Sequence, residues 1–242
     1  MGEAMIILPA IDIKDGRCVR LFQGDYAQVT TYDTDPVQVA LRWQEAGASW
    51  LHLVDLDGAK AGYPVNVELI KRIRAATTLR IEVGGGMRTL EHIEQVLGLG
   101  VDRVILGTVA ITNRDLLRQA LERWGERIVV GLDARDGLVA IAGWIETSQV
   151  TAVALARELS ELGVQRFVYT DIARDGALTG PNLKALTEMQ QAITSSLIAS
   201  GGVSSLADLQ ALSQSGVEGA IIGKAIYTGA VDLATAIGEI ER

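Results

Sequence analysis

The chain has 242 residues, of which 48% are hydrophobic and only 5% are aromatic, so a core must be mainly aliphatic. The formal net charge of −8 argues against a nucleic-acid backbone or an anionic membrane as the main partner. It does not exclude a small anionic ligand, because backbone amides and a few local cations can bind phosphate on an acidic protein.

Short aliphatic runs alternate along the chain with longer segments of helical spacing. Most of the runs are continuous, as is typical of parallel strands covered on both faces. Among the intervening helices, one should begin at Asp35 and Pro36, one at Thr89, and one at Ser205, with Asp208 completing a capping box. In chain order the predicted strands are 6–11, 50–54, 79–83, 103–106, 128–132, 166–170, 196–199 and 219–222.

The two halves of the chain resemble each other. Gly85-Gly86 recurs at Gly201-Gly202, 116 positions later, and residues 11–16 recur at 132–137 with an offset of 121. Eight strand–helix units in a chain of this length, with an internal repeat of four units, predict a (β/α)₈ TIM barrel rather than an open doubly wound sheet. We expect one domain made of two half-barrels, about 5–124 and 125–242.

Asp12 and Asp133 follow the first predicted strand of each half. The active site of such a barrel lies at the carboxyl ends of its strands, and strands 1 and 5 are opposite each other. The two carboxylates would face each other across the mouth and could divide into acid and base. The alternative is that each aspartate only caps a turn.

Glycine clusters end strands 3, 4, 7 and 8. Glycine lets backbone N–H groups approach an anion closely, so two phosphate sites on opposite sides of the mouth are predicted, and with them a substrate that carries two phosphates. Tight turning is the alternative explanation for the glycines. The two cations near these loops, Arg88 and Lys224, could simply be surface residues. The candidate residues are Gly85, Gly86, Arg88, Gly107 and Thr108 in the first half, and Gly176, Gly201, Gly202, Gly223 and Lys224 in the second.

Other polar side chains are weaker candidates. Thr170 and Asp175 lie at the end of strand 6 and in the glycine-rich loop behind it, and Trp144 lies near the end of a predicted long loop over 134–145. Trp144 could stack on a substrate ring or could equally belong to the packing between barrel and helices. His52 and Glu82 are expected in the barrel interior.

Targeting and metal motifs are not found in the sequence. His52, His92 and Cys18 have no metal-motif spacing, so no metal site is predicted. One cysteine, no apolar run near the roughly 18 residues of a membrane span, and no signal-peptide pattern favour a cytoplasmic protein.

Several motifs closely resemble the ProFAR isomerase family of histidine biosynthesis, where ProFAR is phosphoribosylformimino-aminoimidazole carboxamide ribotide. The resemblance covers essentially the whole chain. It is carried by residues 8–21 (LPAIDIKDGRCVRL), 23–26 (QGDY), 52–59 (HLVDLDGA), 84–88 (GGGMR), 131–133 (GLD) and 171–176 (DIARDG).

The resemblance implies an Amadori rearrangement of an aminoaldose to an aminoketose, with no cofactor and no metal. It further implies Asp12 as proton acceptor, Asp133 as proton donor, Thr170 and Asp175 as supporting groups, and Trp144 as a residue that stacks on the substrate. We expect a monomer with a small bis-phosphorylated substrate and neither nucleic acid nor membrane as partner.

Three alternatives stay open. The sister cyclase, a lyase that works with a glutaminase, shares the two-halved barrel and both aspartates, but it typically has Cys-Leu-Asp where this chain has Ala10-Ile11-Asp12. A dual-specificity isomerase would also convert phosphoribosylanthranilate. A non-catalytic phosphate-binding barrel is the third, and the presence of both carboxylates argues against it.

Overall fold

The computed structural model describes residues 4–141, 144 and 146–241. The strands in these residues are β1 (Ile6–Lys14), β2 (Arg17–Phe22), β3 (Asp25–Asp33), β4 (Trp50–Asp55), β5 (Arg80–Gly84), β6 (Arg103–Leu106), β7 (Ile128–Arg135), β8 (Leu138–Ile141), β9 (Glu146–Thr151), β10 (Arg166–Asp171), β11 (Ser196–Ser200) and β12 (Gly219–Ile222). The α-helices in the same residues are α1 (Pro36–Glu45), α2 (Leu56–Ala61), α3 (Val67–Ala76), α4 (Leu90–Leu97), α5 (Thr108–Thr112), α6 (Arg114–Trp124), α7 (Ala152–Glu161), α8 (Leu183–Ala192), α9 (Leu206–Ser215), α10 (Lys224–Tyr227) and α11 (Leu233–Ile240), and a short 3₁₀ helix occupies Gly125–Arg127.

Eight of the strands form a closed parallel barrel. Their order is β1-β4-β5-β6-β7-β10-β11-β12, and the ring closes where Ile6–Pro9 of β1 pair with Gly219–Ile222 of β12. One or two helices follow each barrel strand, or the hairpin that extends it, before the next barrel strand begins. The (β/α)₈ barrel predicted from the alternating pattern is therefore confirmed.

A β-hairpin extends the first strand of each half. β1 continues into β2 and β3, and β7 continues into β8 and β9. Both turns are Asp-Gly pairs with positive φ, 51° and 71° at Asp15-Gly16 and 52° and 79° at Asp136-Gly137, as a two-residue type I′ hairpin requires.

These hairpins correct two expectations. Asp12 and Asp133 lie within β1 and β7 rather than just behind them, because both strands run further than the aliphatic runs that predicted them. The predicted loop over 134–145 is wrong for its first part, because β7 continues to Arg135 and β8 occupies Leu138–Ile141. Ala142, Gly143 and Ile145 of that segment lie outside the described residues.

Two apolar layers hold the barrel. Aliphatic side chains fill the space between strands and helices, and a smaller cluster that includes Leu8, Ala10 and Trp50 fills the barrel interior. Ser205 and Asp208 form the predicted capping box of α9. In the part of the chain that the structure describes, no helix is long and apolar enough to cross a bilayer.

Candidate active site

Asp12 and Asp133 lie at the carboxyl ends of two barrel strands, β1 and β7. Asp12 pairs in register with Val54 of β4, and Asp133 pairs with Thr170 of β10. His52 and Asp175 act electrostatically on both aspartates, so the two carboxylates share the same neighbours at the mouth. The structure thus brings the predicted pair to one site.

Arg20 of β2 is a site residue that sequence reasoning missed. Its Nη1 donates to Asp12 Oδ1 at 2.9 Å, and its Nη2 lies 3.5 Å from Asp175 Oδ1. All three side chains are largely buried. The signal was present as a single arginine between Val19 and Leu21, since a cation in a buried apolar strand calls for an anionic partner.

The pKa values of both aspartates are raised, in both cases chiefly by burial. For Asp12 the nearby Asp175 raises the pKa further, whereas Arg20 opposes the increase. For Asp133, hydrogen bonds from Trp144 and Thr170 oppose the increase. Burial lowers the pKa of Arg20, but Asp12 and Asp175 outweigh it and raise that pKa, so Arg20 stays charged. Buried carboxyl groups with perturbed pKa values are typical of acid–base sites.

Trp144 lies at the barrel mouth. Its side chain hydrogen-bonds Asp133, and its ring covers Gly24 between β2 and β3, where a Cβ atom would overlap the indole. The residue itself has a φ of 73°, which is unusual for a bulky side chain. Trp144 thus connects the two hairpins at the mouth, while stacking on a substrate remains a prediction.

The second-half glycine loops line a cavity beside this cluster. Lys224 Nζ donates to Gly176 O at 2.8 Å, which fixes the ammonium group at the cavity wall. Gly223 lies against the Arg20 guanidinium so closely that a Cβ would overlap it. The lining residues are Arg20, Asp175, Gly176, Leu178, Ser200, Gly201, Gly202, Val203, Ile221, Gly223 and Lys224.

The glycine pairs also have a packing role that repeats between the halves. A Cβ at Gly85 would overlap Asp55 O, and one at Gly201 would be pressed against Asp171 O, which is 116 residues on from Asp55. Gly85 and Gly201 both have positive φ, 103° and 92°. Close backbone packing and positive φ therefore favour glycine at this pair of positions, and phosphate binding there stays a prediction.

The predicted cations differ in their surroundings. Arg88 is exposed, with its guanidinium against Gly62 and its Nη2 3.4 Å from Ala59 O, whereas Lys224 is partly buried in the cavity wall. Gly107 and Thr108 occupy the first-half positions that correspond to Gly223 and Lys224, at the start of α5. The duplicated loops are thus placed as predicted, but their polar side chains are not equivalent.

A chain of ionisable groups lies beneath the site, inside the barrel. His52 Nδ1 is 2.7 Å from Glu82 Oε1, and Glu82 is fully buried. Arg103 Nη1 is 3.9 Å from Glu82 Oε2, and Glu218 pairs with both Arg103 and Arg166. The interior location expected for His52 and Glu82 is therefore confirmed.

Buried carboxyl groups with raised pKa values at the mouth of a barrel are typical of (β/α)₈-barrel enzymes. The sequence profile of the histidine biosynthesis protein family matches residues 6–232. The chain belongs to that family.

Curated relatives cover nearly the whole chain. A protein of Chloroflexus aurantiacus is 56% identical over 233 residues, which are 96% of this chain and 97% of the relative. One of Dehalococcoides mccartyi is 53% identical over 236 residues, 98% of this chain and 100% of the relative. Both are named 1-(5-phosphoribosyl)-5-((5-phosphoribosylamino)methylideneamino) imidazole-4-carboxamide isomerase, the ProFAR isomerase.

Proposed function

We propose that the protein is a ProFAR isomerase, which converts the aminoaldose ProFAR to the corresponding aminoketose by an Amadori rearrangement. The observation that carries this proposal is the pair of buried carboxyl groups, Asp12 and Asp133, at the mouth between duplicated glycine loops. More than half of the residues are identical to those of relatives that bear this name.

In the proposed mechanism Asp133 is the proton donor. Burial raises its pKa, which favours the protonated form needed to deliver a proton. That proton goes to the ring oxygen of the reacting ribose while the bond from this oxygen to C1′ breaks, leaving a protonated Schiff base. Thr170 and Trp144 orient the carboxyl group through their hydrogen bonds.

Asp12 is the proton acceptor. Its carboxylate takes the C2′ proton, the C2′–H electrons form a C1′=C2′ bond, and the electrons of the C=N bond move to nitrogen. The resulting enol then becomes the ketose by proton transfer from oxygen to C1′. The substrate has gained one proton from Asp133 and lost one to Asp12, so no atoms are gained or lost, and loss of a proton from Asp12 to solvent and uptake of one by Asp133 restore the enzyme. Burial raises the pKa of Asp12 as well, but Arg20 donates to its carboxylate and opposes that increase, which favours the ionised form that a base needs.

The substrate orientation follows from the position of the second-half cavity. Arg20 and Asp175, the partners of the base, also line the cavity that contains Gly201, Gly202 and Lys224. We infer that the phosphate of the reacting ribose binds there. The other phosphate then binds at Gly85, Gly86, Gly107 and Thr108, with Arg88 nearby.

The remaining expectations stay proposals of the same kind. They are a cytoplasmic monomer that uses no cofactor or metal, acts on a bis-phosphorylated small molecule, and binds neither nucleic acid nor membrane. The buried free thiol of Cys18 is compatible with a reducing compartment.

A paired assay tests the proposed function. The purified protein is given ProFAR and, separately, phosphoribosylanthranilate, with Asp12→Asn as the control for contaminating activity. We expect turnover of ProFAR that the substitution abolishes, and little turnover of phosphoribosylanthranilate. Comparable efficiency on both would establish dual specificity, and no turnover of ProFAR by the purified chain would refute the proposal.

A further inference from the structure

Tyr227 connects the second-half phosphate loop to the strands that carry Asp12 and Arg20. It is the last residue of α10, which begins directly after Gly223. Its Oη donates to Ala10 O at 2.8 Å, two residues before Asp12 on β1. Because the single phenol proton is used there, the Cys18 thiol at 3.1 Å is the donor in its contact with the same oxygen.

The contact with Ala10 lies where the barrel ladder is interrupted. Pairing between β1 and β12 ends at Pro9 and Ile222, and β12 itself ends there. Beyond that point the chain turns into the Gly223 loop. The phenol of Tyr227 supplies a donor to β1 just after the last pair, and so attaches the loop to the part of β1 that contains Asp12.

The contact with Cys18 acts on the hairpin. Cys18 and Arg20 are two residues apart on β2, so their side chains lie on the same face of that strand. Gly223, at the other end of α10, lies directly against the Arg20 guanidinium. Residues 223–227 therefore touch the Arg20 side chain at one end and its strand at the other.

The ring of Tyr227 is held firmly. It stacks on Tyr32 with 4.7 Å between ring centroids and meets Trp43 edge-on at 5.4 Å. Burial raises the pKa of Tyr227 well above its usual range, so the phenol keeps its proton as a hydrogen-bond donor.

The internal repeat gives the barrel a second, equivalent junction between a loop and a hairpin, without this contact. The positions that correspond to Tyr227 and Cys18 are Ile111 (227 − 116) and Val139 (18 + 121). Both are apolar; Val139 is buried in the main hydrophobic core, and Ile111 packs against it. Since the equivalent junction is built with apolar residues at both positions, the fold alone does not require the tyrosine.

We infer that Tyr227 is a positioning residue that holds Asp12 and Arg20 at a fixed place relative to the second-half phosphate loop. This inference rests on the proposed function. Its effect should fall on turnover, because a small displacement of the base from the C2′ proton costs rate even when substrate still binds.

Tyr227→Phe tests the inference, because it removes only the hydroxyl and keeps the stacked ring. We expect kcat for ProFAR to fall at least about 10-fold, with a smaller change in KM. Trp43→Phe is the matched control, since it disturbs the same ring cluster without touching Ala10 or Cys18. We expect it to lower Tm at least as much while kcat stays within about twofold.

A double variant keeps the test independent of folding problems. Tyr227→Ile with Cys18→Val introduces the side chains found at the repeat-equivalent positions, Ile111 and Val139, and should fold and lose turnover like Tyr227→Phe. Unchanged kcat in the Tyr227 variants, or a parallel loss of kcat in Trp43→Phe, would overturn the inference.

A crystal structure of Tyr227→Phe gives a readout that does not depend on activity. We expect the Asp12–Arg20 contact to lengthen or to change its geometry, and an unaltered contact would also overturn the inference. A wild-type protein that does not convert ProFAR would instead refute the proposed function.

Discussion

Replacing Asp12 by asparagine separates the chemistry of the site from its architecture. The Oδ1 atom of the new side chain can still accept from Arg20 Nη1, which is 2.9 Å from the equivalent atom in the wild type, and Arg20 keeps its second partner Asp175. What is lost is the negative charge and the ability to take a proton. A positioned general base contributes about 10²–10⁴-fold, so we predict a fall in kcat of at least about 10³-fold, or about 4 kcal/mol in activation free energy.

Although turnover falls, the stability of the same variant should increase or stay the same. Burial raises the pKa of Asp12 above its value in the unfolded chain, so the folded protein holds the ionised form less favourably than the unfolded chain does. For a carboxyl group with a raised pKa, stability falls as the pH rises through the window between the unfolded and the folded value. An uncharged asparagine avoids this cost, and Tm at neutral pH should equal or exceed that of the wild type.

The assay combines steady-state turnover of ProFAR with thermal unfolding followed by circular dichroism. Asp15→Asn is the matched control, because Asp15 is an exposed carboxylate in the hairpin turn and asparagine tolerates its positive φ of 51°. It should leave kcat unchanged. Near-normal turnover of Asp12→Asn would refute the mechanism, and a large fall in its Tm would refute the reasoning about burial.

Three further predictions test other parts of the structure. Arg20→Met removes the cation that opposes the raised pKa of Asp12, so the acidic limb of the pH–rate profile should move to higher pH; an unmoved limb would contradict the assigned base. Gly24→Ala places a Cβ where the Trp144 ring lies, so tryptophan fluorescence should change and kcat should fall while Tm changes little. An unaltered fluorescence spectrum would place the ring elsewhere. Glu218→Gln leaves its two partly buried arginine partners undercompensated and should cost about 1–2 kcal/mol, or a few degrees of Tm. Burial alone would raise the pKa of Glu218, but the arginines lower it, so the wild-type advantage over this variant should be lost as the pH falls through that lowered pKa.

Local sequence patterns were enough to predict the barrel, the position of the two aspartates at its mouth, and the position of the glycine loops. Continuous aliphatic runs fix strands that are covered on both faces, and a repeated Ile-Asp or Leu-Asp at the first strand of each half places Asp12 and Asp133 at the mouth. The repeat also placed the glycine loops. All of these features are properties of short segments, and the barrel topology then brings the segments together.

Long-range partners could not be predicted in the same way. Arg20 and Asp175 are 155 residues apart, and Tyr227 and Cys18 are 209 residues apart. No periodicity links such pairs, because their meeting depends on barrel closure and on the hairpin that carries Arg20. The Asp15-Gly16 pair is a strong local signal for that hairpin, but a hairpin turn does not by itself indicate a catalytic residue.

The differences between the halves explain how a symmetric barrel could act on one end of a two-ended substrate. At equivalent positions of the repeat, the first half has Thr108 and Ile111 where the second half has Lys224 and Tyr227. Arg20 lies against Gly223 of the second-half loop. The residue equivalent to Arg20 (20 + 121) is the apolar Ile141, so the first-half loop has no matching arginine. Tyr227 and Arg20 connect the second-half loop to Ala10 and Asp12, and Lys224 places a cation in the wall of the adjoining cavity. A phosphate bound there would be tied directly to the base, whereas a phosphate at the first-half loop would only anchor the far end. Duplication therefore provides two binding loops of similar backbone, and a few side-chain differences decide which of them adjoins the chemistry.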